Sequence, residues 1–135
     1  MKVALIQMDS TGSRQENERK ALKWLEQSAK QGADVICLSE SFVYWGKEKE
    51  ERNCSLVDIE KYQDFARKKQ VNLVLGSVSL KVENSDKTTN TCFVIDRNGR
   101  IVHRYDKKYM YQVNKPDLKI DETERTIARK NEWNF

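Results

Sequence analysis

Residues 34–38 read Asp-Val-Ile-Cys-Leu, a run with four successive apolar positions and no polar alternation. A strand with one wet face alternates polar and apolar side chains, because its side chains point to opposite faces in turn. Unbroken apolar character therefore predicts a strand covered on both faces, as in parallel sheets layered with helices. The preceding residues fit such a layer. Lys2 to Met8 is a short, mostly apolar run with β-branched members, which predicts a second strand. Ser13 followed by Glu16 is a capping-box signature, in which each side chain satisfies an orphan backbone N–H. A helix is expected from there to about Gln31. Leu22, Leu25 and Ala29 share one face at helical spacing, with Ala21 beside them, and Glu16, Lys20, Lys23 and Gln27 share the other. Glu18 falls on the apolar side, in the first turn, where a carboxylate suits the helix dipole. Gly32 is the expected C-cap.

A loop rich in aromatics follows the strand: Phe42, Tyr44, Trp45 and then Gly46. A second helix is expected near Ser55, with Asp58 completing another capping box and Ile59, Tyr62 and Ala66 facing inward. Val71 to Val82 is a strand region holding one glycine, Gly76. Asn84-Ser85-Asp86-Lys87 is a turn cluster. Thr91 to Asp96 and Ile101 to Tyr105 form two strands joined through Arg97-Asn98-Gly99, where Asn-Gly signals a hairpin because both residues tolerate positive φ. The order β-α-β-α-β followed by a hairpin predicts an α/β layered fold. The 28 residues after Lys107 show no clear element. They end on Glu132-Trp133-Asn134-Phe135, whose alternating aromatics resemble an interrupted strand. The chain thus reads as part of a larger domain, apparently truncated, with a sheet face lacking its cover.

Composition excludes several functions. The chain has 135 residues, 34% of them charged, and a net charge of +4 from mixed acidic and basic side chains. Basic residues cluster only in short runs such as Arg67-Lys68-Lys69, so no nucleic-acid partner is expected. No window approaches the ~20 apolar residues of a membrane span, and no signal peptide is evident, so a soluble cytoplasmic protein is expected. Three cysteines without a close pair fit neither a disulfide framework nor a zinc knuckle. With one histidine as well, no metal and no cofactor are expected.

Two charged residues occupy strand ends, where ligands bind in open α/β sheets. Glu40 lies two residues past the apolar strand. The aromatic loop behind it is placed to exclude water and raise a carboxyl pKa, as a general base requires. The alternative is a solvated loop carboxylate. Lys107 follows the hairpin strand and can present a fixed positive charge to a developing oxyanion; the alternative is a surface lysine. Cys37 is three residues from Glu40, which on a strand puts the two side chains on opposite faces with Cα atoms ~10 Å apart. Cys37 and Cys92 read as small buried hydrophobes. Cys54 precedes a helix start, which favours a thiolate, but belongs to no motif.

The spacing of these residues resembles the nitrilase superfamily of carbon–nitrogen hydrolases over most of the chain. The first block runs from the strand ending in Gln7, through Asn17 and Gly32-Ala33-Asp34, to Val35-Ile36-Cys37-Leu38-Ser39-Glu40 with Phe42 and Gly46 after it. The second is Asn90-Thr91, Val94-Ile95-Asp96, Gly99, Ile101, Tyr105 and Lys107. Ser39 stands where the family commonly has proline, and Tyr109 where it commonly has histidine. The resemblance implies a four-layer α-β-β-α sandwich, of which residues 1–135 form the amino-terminal portion of a single domain. It implies hydrolysis of a small-molecule amide or nitrile through a Glu-Lys-Cys triad, with Glu40 as general base and Lys107 stabilising the oxyanion. An accessory glutamate is expected at Glu124, with Glu122 as the alternative. The family's cysteine nucleophile falls beyond Phe135. The chain is therefore either one portion of an enzyme or a catalytically inactive member acting as a binding or interaction module. The resemblance also implies pairing into homo-oligomers.

Overall fold

The computed structural model describes residues 1–129. The expected terminal strand at Glu132-Trp133-Asn134-Phe135 lies outside the described residues. The chain opens with strand β1 (Val3–Ile6), helix α1 (Arg14–Lys30) and strand β2 (Val35–Leu38). A one-turn helix α2 (Lys49–Arg52) and a two-residue strand β3 (Asn53–Cys54) precede helix α3 (Val57–Lys69). Strands β4 (Asn72–Lys81), β5 (Thr88–Ile95) and β6 (Ile101–Asp106) complete the main sheet. A separate hairpin, β7 (Gln112–Lys115) and β8 (Leu118–Asp121), leads into a 3-10 turn at Glu122–Glu124.

The sheet order is β1-β2-β4-β5-β6, parallel through β1, β2 and β4 and antiparallel from β4 to β6. One face of it joins a single buried cluster with the helices. Ile36, Leu38, Leu73, Leu75, Phe93 and Ile95 of the sheet meet Ala21 and Leu25 of α1 and Ile59, Tyr62 and Ala66 of α3. Phe42, from the aromatic loop, packs edge-on to Tyr62 with ring centroids 5.5 Å apart. The other sheet face is exposed at Val3 and Leu5 and half-buried at Val35, Cys37, Val74 and Val94. The apolar run in β2 thus has helical cover on one face only among the described residues, which hold two of the four layers of the implied sandwich.

Local signals hold in part. The Ser13 hydroxyl accepts from the Glu16 N–H at 3.3 Å, but the Glu16 carboxylate pairs with Lys20 at 3.0 Å, so only one arm of the capping box forms. Asp58 reaches back to both the N–H and the hydroxyl of Ser55, at 2.7 and 2.9 Å. At the β5–β6 turn only Gly99 has positive φ, at 78°. Asp96 Oδ1 accepts the N–H groups of Asn98 and Arg100, which makes a five-residue loop in place of the tight turn expected from Asn-Gly. The region after Lys107, read as featureless, contains β7 and β8. Their residues are almost all exposed, and the short alternations Tyr111/Val113 and Leu118/Ile120 went unread as strands.

Candidate active site

The site forms where the edge of β4 changes partner. β2 pairs with β4 as far as Leu38↔Leu75, and β3 resumes on the same strand at Asn53↔Ser79. Between these points β4 carries a bulge, an extra residue that bends the strand and breaks the ladder. The register with β5 shifts between Leu75 and Val78. Into this gap turns the chain leaving β2. Ser41 adopts a left-handed φ of 52°, and its N–H donates to Ser77 Oγ at 3.0 Å. Gly76 makes the close approach feasible, since a Cβ there would overlap the carbonyl oxygens of Leu38 and Ser39. Glu40 sits at the apex of this anchored turn.

β5 and β6 bring the other groups to the same level of the sheet. The Lys107 N–H donates to the Asn90 carbonyl at 2.9 Å, just past the Thr91↔Asp106 pair. Beneath them, Thr91 Oγ1 donates to Asp106 Oδ1 at 2.6 Å, and Arg104 pairs with Asp106 at 3.0 Å. This buried bracket fixes the end of β6 where Lys107 departs.

Lys107 Nζ stands 3.4 Å from Glu40 Oε1 and 2.9 Å from Glu122 Oε2. The Asn90 amide nitrogen, with two hydrogens to give, lies 2.8 Å from Glu40 Oε1 and 3.4 Å from Glu122 Oε1. Glu122 is hooked in place by Tyr111: its N–H donates to the Tyr111 carbonyl at 3.0 Å, and its Oε2 accepts the Tyr111 N–H at 2.8 Å. The following residues dock on the start of β5 through Thr88 N–H to the Arg125 carbonyl and Ile127 N–H to the Thr88 carbonyl.

Of the expected residues, the structure brings Glu40 and Lys107 together and puts Glu122, not Glu124, beside them. Glu124 is exposed, and none of its bonds goes to Lys107. Within the 3-10 turn Glu122 is the buried carboxylate, bonded to the Tyr111 N–H. Burial alone raises the Glu122 carboxyl pKa, but the Tyr111 N–H and Lys107 outweigh it and hold the group below its ordinary value. Burial likewise disfavours charge on Lys107, yet Glu122 and Glu40 hold its pKa above that of an ordinary lysine. The pair is therefore fixed as ammonium and carboxylate at neutral pH. Glu40 differs from expectation in its surroundings. Its side chain is 59% exposed, because Phe42 and Val43 turn into the core and Trp45 faces solvent.

Asn90 was legible as part of a motif, but not as the donor joining two carboxylates. The three cysteines do not enter the cluster. Burial pushes the Cys54 thiol up to about 11 and raises those of Cys37 and Cys92, which disfavours the thiolate in each. None of them bonds to Glu40, Lys107 or Glu122.

The chain is 28% identical over 139 residues to a deaminated glutathione amidase of Dictyostelium discoideum, covering 95% of this chain and 48% of that protein. It is 31% identical over 119 residues to a protein of the same name from Synechocystis, covering 84% and 44% respectively. The chain thus spans about half the length of these curated relatives. The solved C. elegans NitFhit structure superposes with a TM-score of 0.79 at 25% identity, covering 95% of this chain and 33% of that one. The carbon-nitrogen hydrolase family profile matches residues 2–132, almost the whole length, and the chain belongs to that family.

Proposed function

We propose that this chain carries the acid–base and oxyanion groups of an amide hydrolase. The supporting observation is the Lys107 ammonium held 2.9 Å from Glu122 and 3.4 Å from Glu40 at the end of the sheet. On this reading Glu40 is the general base. It is the more exposed of the two carboxylates and the one a reacting group can reach. Glu122 is the positioning carboxylate, tied to the backbone and to Lys107. Residues 1–135 are the amino-terminal portion of one catalytic domain, and the nucleophile is a thiol other than Cys37, Cys54 and Cys92.

The chemistry follows from these roles. Glu40 takes the thiol proton, and the thiolate attacks the amide carbon. The developing oxyanion draws on the Lys107 charge, already oriented by its two carboxylates. The C–N bond breaks as Glu40 returns the proton to the leaving amine. Glu40 then takes a proton from water, which attacks the thioester; the acid leaves, and the thiol recovers its proton. The relatives' names specify amidases, which supports an amide as the substrate class. The test is ammonia release from a panel of primary amides, using the chain together with whatever coding sequence follows Phe135. Glu40→Gln is expected to lower kcat/KM by about 10³, within the range for loss of a general base. Unchanged turnover in that variant overturns the assignment.

A second reading is favoured by the absence of any described cysteine from the cluster. In it the chain is a catalytically inactive family member that binds amides or a protein partner. It predicts saturable binding of amides with no ammonia released.

A further inference from the structure

Asn90, on β5, touches Glu40, Glu122 and Lys107 at once. Its side-chain nitrogen lies 2.8 Å from Glu40 Oε1 and 3.4 Å from Glu122 Oε1. Its main-chain carbonyl accepts the Lys107 N–H at 2.9 Å. The strand ladder fixes it from both sides, through its own pairing with Ser79 of β4 and the Thr91↔Asp106 pair beside it. The amide has to present its nitrogen here. With the oxygen turned to the carboxylates, three acceptors would face one another with no hydrogen between them.

Glu40 depends on this contact more than Glu122 does. Its side chain is mostly exposed, and fixing a long glutamate costs rotamer freedom. Glu122 has the Tyr111 N–H to hold it, whereas no backbone N–H among the described residues donates to the Glu40 carboxylate. Lys107 reaches Glu40 at 3.4 Å, long for a hydrogen bond, against 2.8 Å for Asn90. Both contacts fall on Oε1, and Glu40 Oε2 receives no bond from the described residues. The two oxygens of this carboxylate are therefore unequal: one is held and the other is open.

Asparagine suits the position. Its nitrogen carries two hydrogens, one for each carboxylate. Aspartate, of the same shape, would add a third negative charge, and serine has a single hydrogen to give. Lys107 has three hydrogens, of which two face Glu40 and Glu122 and the third is left for an oxyanion. Asn90 lets Lys107 lean toward that oxyanion without releasing Glu40.

We infer that Asn90 is a positioning residue for the proposed reaction: by holding Glu40 Oε1, it leaves Oε2 as the oxygen that takes the thiol proton. The inference rests on the amide-hydrolase reading for the reaction, but not for the orientation of Glu40. In the step itself the S–H bond breaks, an O–H bond forms on Oε2, and the sulfur electron pair attacks the amide carbon. The same proton then passes from Oε2 to the departing amine, while the Asn90 hydrogens stay on nitrogen.

The experiment has two arms. On the full chain labelled with ¹³C and ¹⁵N, three-bond couplings along the Glu40 side chain report its rotamers. One rotamer is expected in the parent, and averaging over several in Asn90→Ala. That variant keeps the main-chain carbonyl that holds Lys107, and circular dichroism checks its fold. Averaged couplings in the parent, or one rotamer in both proteins, overturn the inference whether or not any amide is hydrolysed. The second arm measures ammonia release from primary amides, using the chain together with the coding sequence that follows Phe135. Asn90→Ala and Asn90→Asp are each expected to lower kcat about ten- to hundred-fold with KM unchanged, as for loss of a hydrogen bond to a charged group. In a Glu40→Gln background the same substitutions are expected to cost nothing further, because Asn90 acts through Glu40. Equal losses in both backgrounds show a merely structural role and overturn the inference. A parent that holds Glu40 in one rotamer through Asn90 yet releases no ammonia retires the hydrolase reading and leaves the positioning.

Discussion

At the scale of single residues, the cluster shows how one ammonium can hold two carboxylates in different states of accessibility. Glu122 is 11% exposed and Glu40 is 59% exposed, although both contact Lys107. The difference lies in the backbone. The Tyr111 N–H and carbonyl clamp Glu122 from the side of the β7–β8 hairpin, while Glu40 rides on an open turn. Because the Glu122 pKa is depressed on folding, its contribution to stability is complete above the ordinary glutamate value. That contribution is lost as pH falls through the lower, folded value. Glu122→Gln is therefore expected to destabilise the chain at pH 7 by about 1–3 kcal/mol, the worth of hydrogen bonds to a charged group. The gap between variant and parent should narrow steadily below about pH 4.5. Urea denaturation at a series of pH values checks this; a gap that stays constant from pH 7 to pH 3 would show that Glu122 gains nothing from folding. The placement of Glu40 and Lys107 at strand ends was legible in the sequence because each follows a recognisable strand at short range. Glu122 was not separable from Glu124. The burial of Glu122 follows from its contacts with Tyr111, eleven residues earlier across a hairpin, a pairing that local spacing does not reveal.

At the scale of elements, the decisive feature is the interruption of β4. A glycine in a strand interior signals a bulge or a close backbone approach, and Gly76 serves as both. The bulge opens the β4 edge between β2 and β3, and the missing Cβ admits the turn that carries Glu40. From sequence, Gly76 was visible only as one glycine in a long strand. Its partners in the close contact, Leu38 and Ser39, lie 38 and 37 residues upstream and cannot be inferred from local pattern. Helices α1 and α3 were legible for the opposite reason, since their inner faces are local: Ile59, Tyr62 and Ala66 are all buried as spacing predicts, whereas the one-turn α2 was not expected. Gly76→Ala tests the link between strand and site. The added methyl meets backbone, which has to shift, so a loss of about 1–3 kcal/mol is expected, as for overpacking in a core. The Glu40 turn should move with it, and the Asn90 side-chain amide signals should shift as its 2.8 Å bond to Glu40 lengthens. Wild-type stability in the alanine variant would show that the turn is held by Ser77 alone.

At the scale of the whole molecule, the sheet is asymmetric in its cover. The helices and Phe42 seal one face, while the other presents Val3 and Leu5 to solvent beside half-buried Val35, Cys37 and Val74. The unbroken apolar run of β2 predicted burial on both sides. The 129 described residues provide cover on one side only. An apolar patch of this kind marks an interaction surface. Leu5, on β1 at the end of the sheet order, is 80% exposed and makes the sharpest probe. Its burial in an interface is worth about 1.5–3 kcal/mol, or roughly ten-fold or more in dissociation constant. The isolated chain is therefore expected to self-associate with rising concentration in sedimentation velocity, and Leu5→Lys to shift it toward monomer by at least that factor. The folding cost of this change is small, within about 0.5 kcal/mol, since Leu5 contributes little to the core. A thermal midpoint unchanged by Leu5→Lys, together with a restored monomer, locates the association on the open face. Identical sedimentation of variant and parent would instead place any self-association elsewhere and leave that face without a partner in the isolated chain.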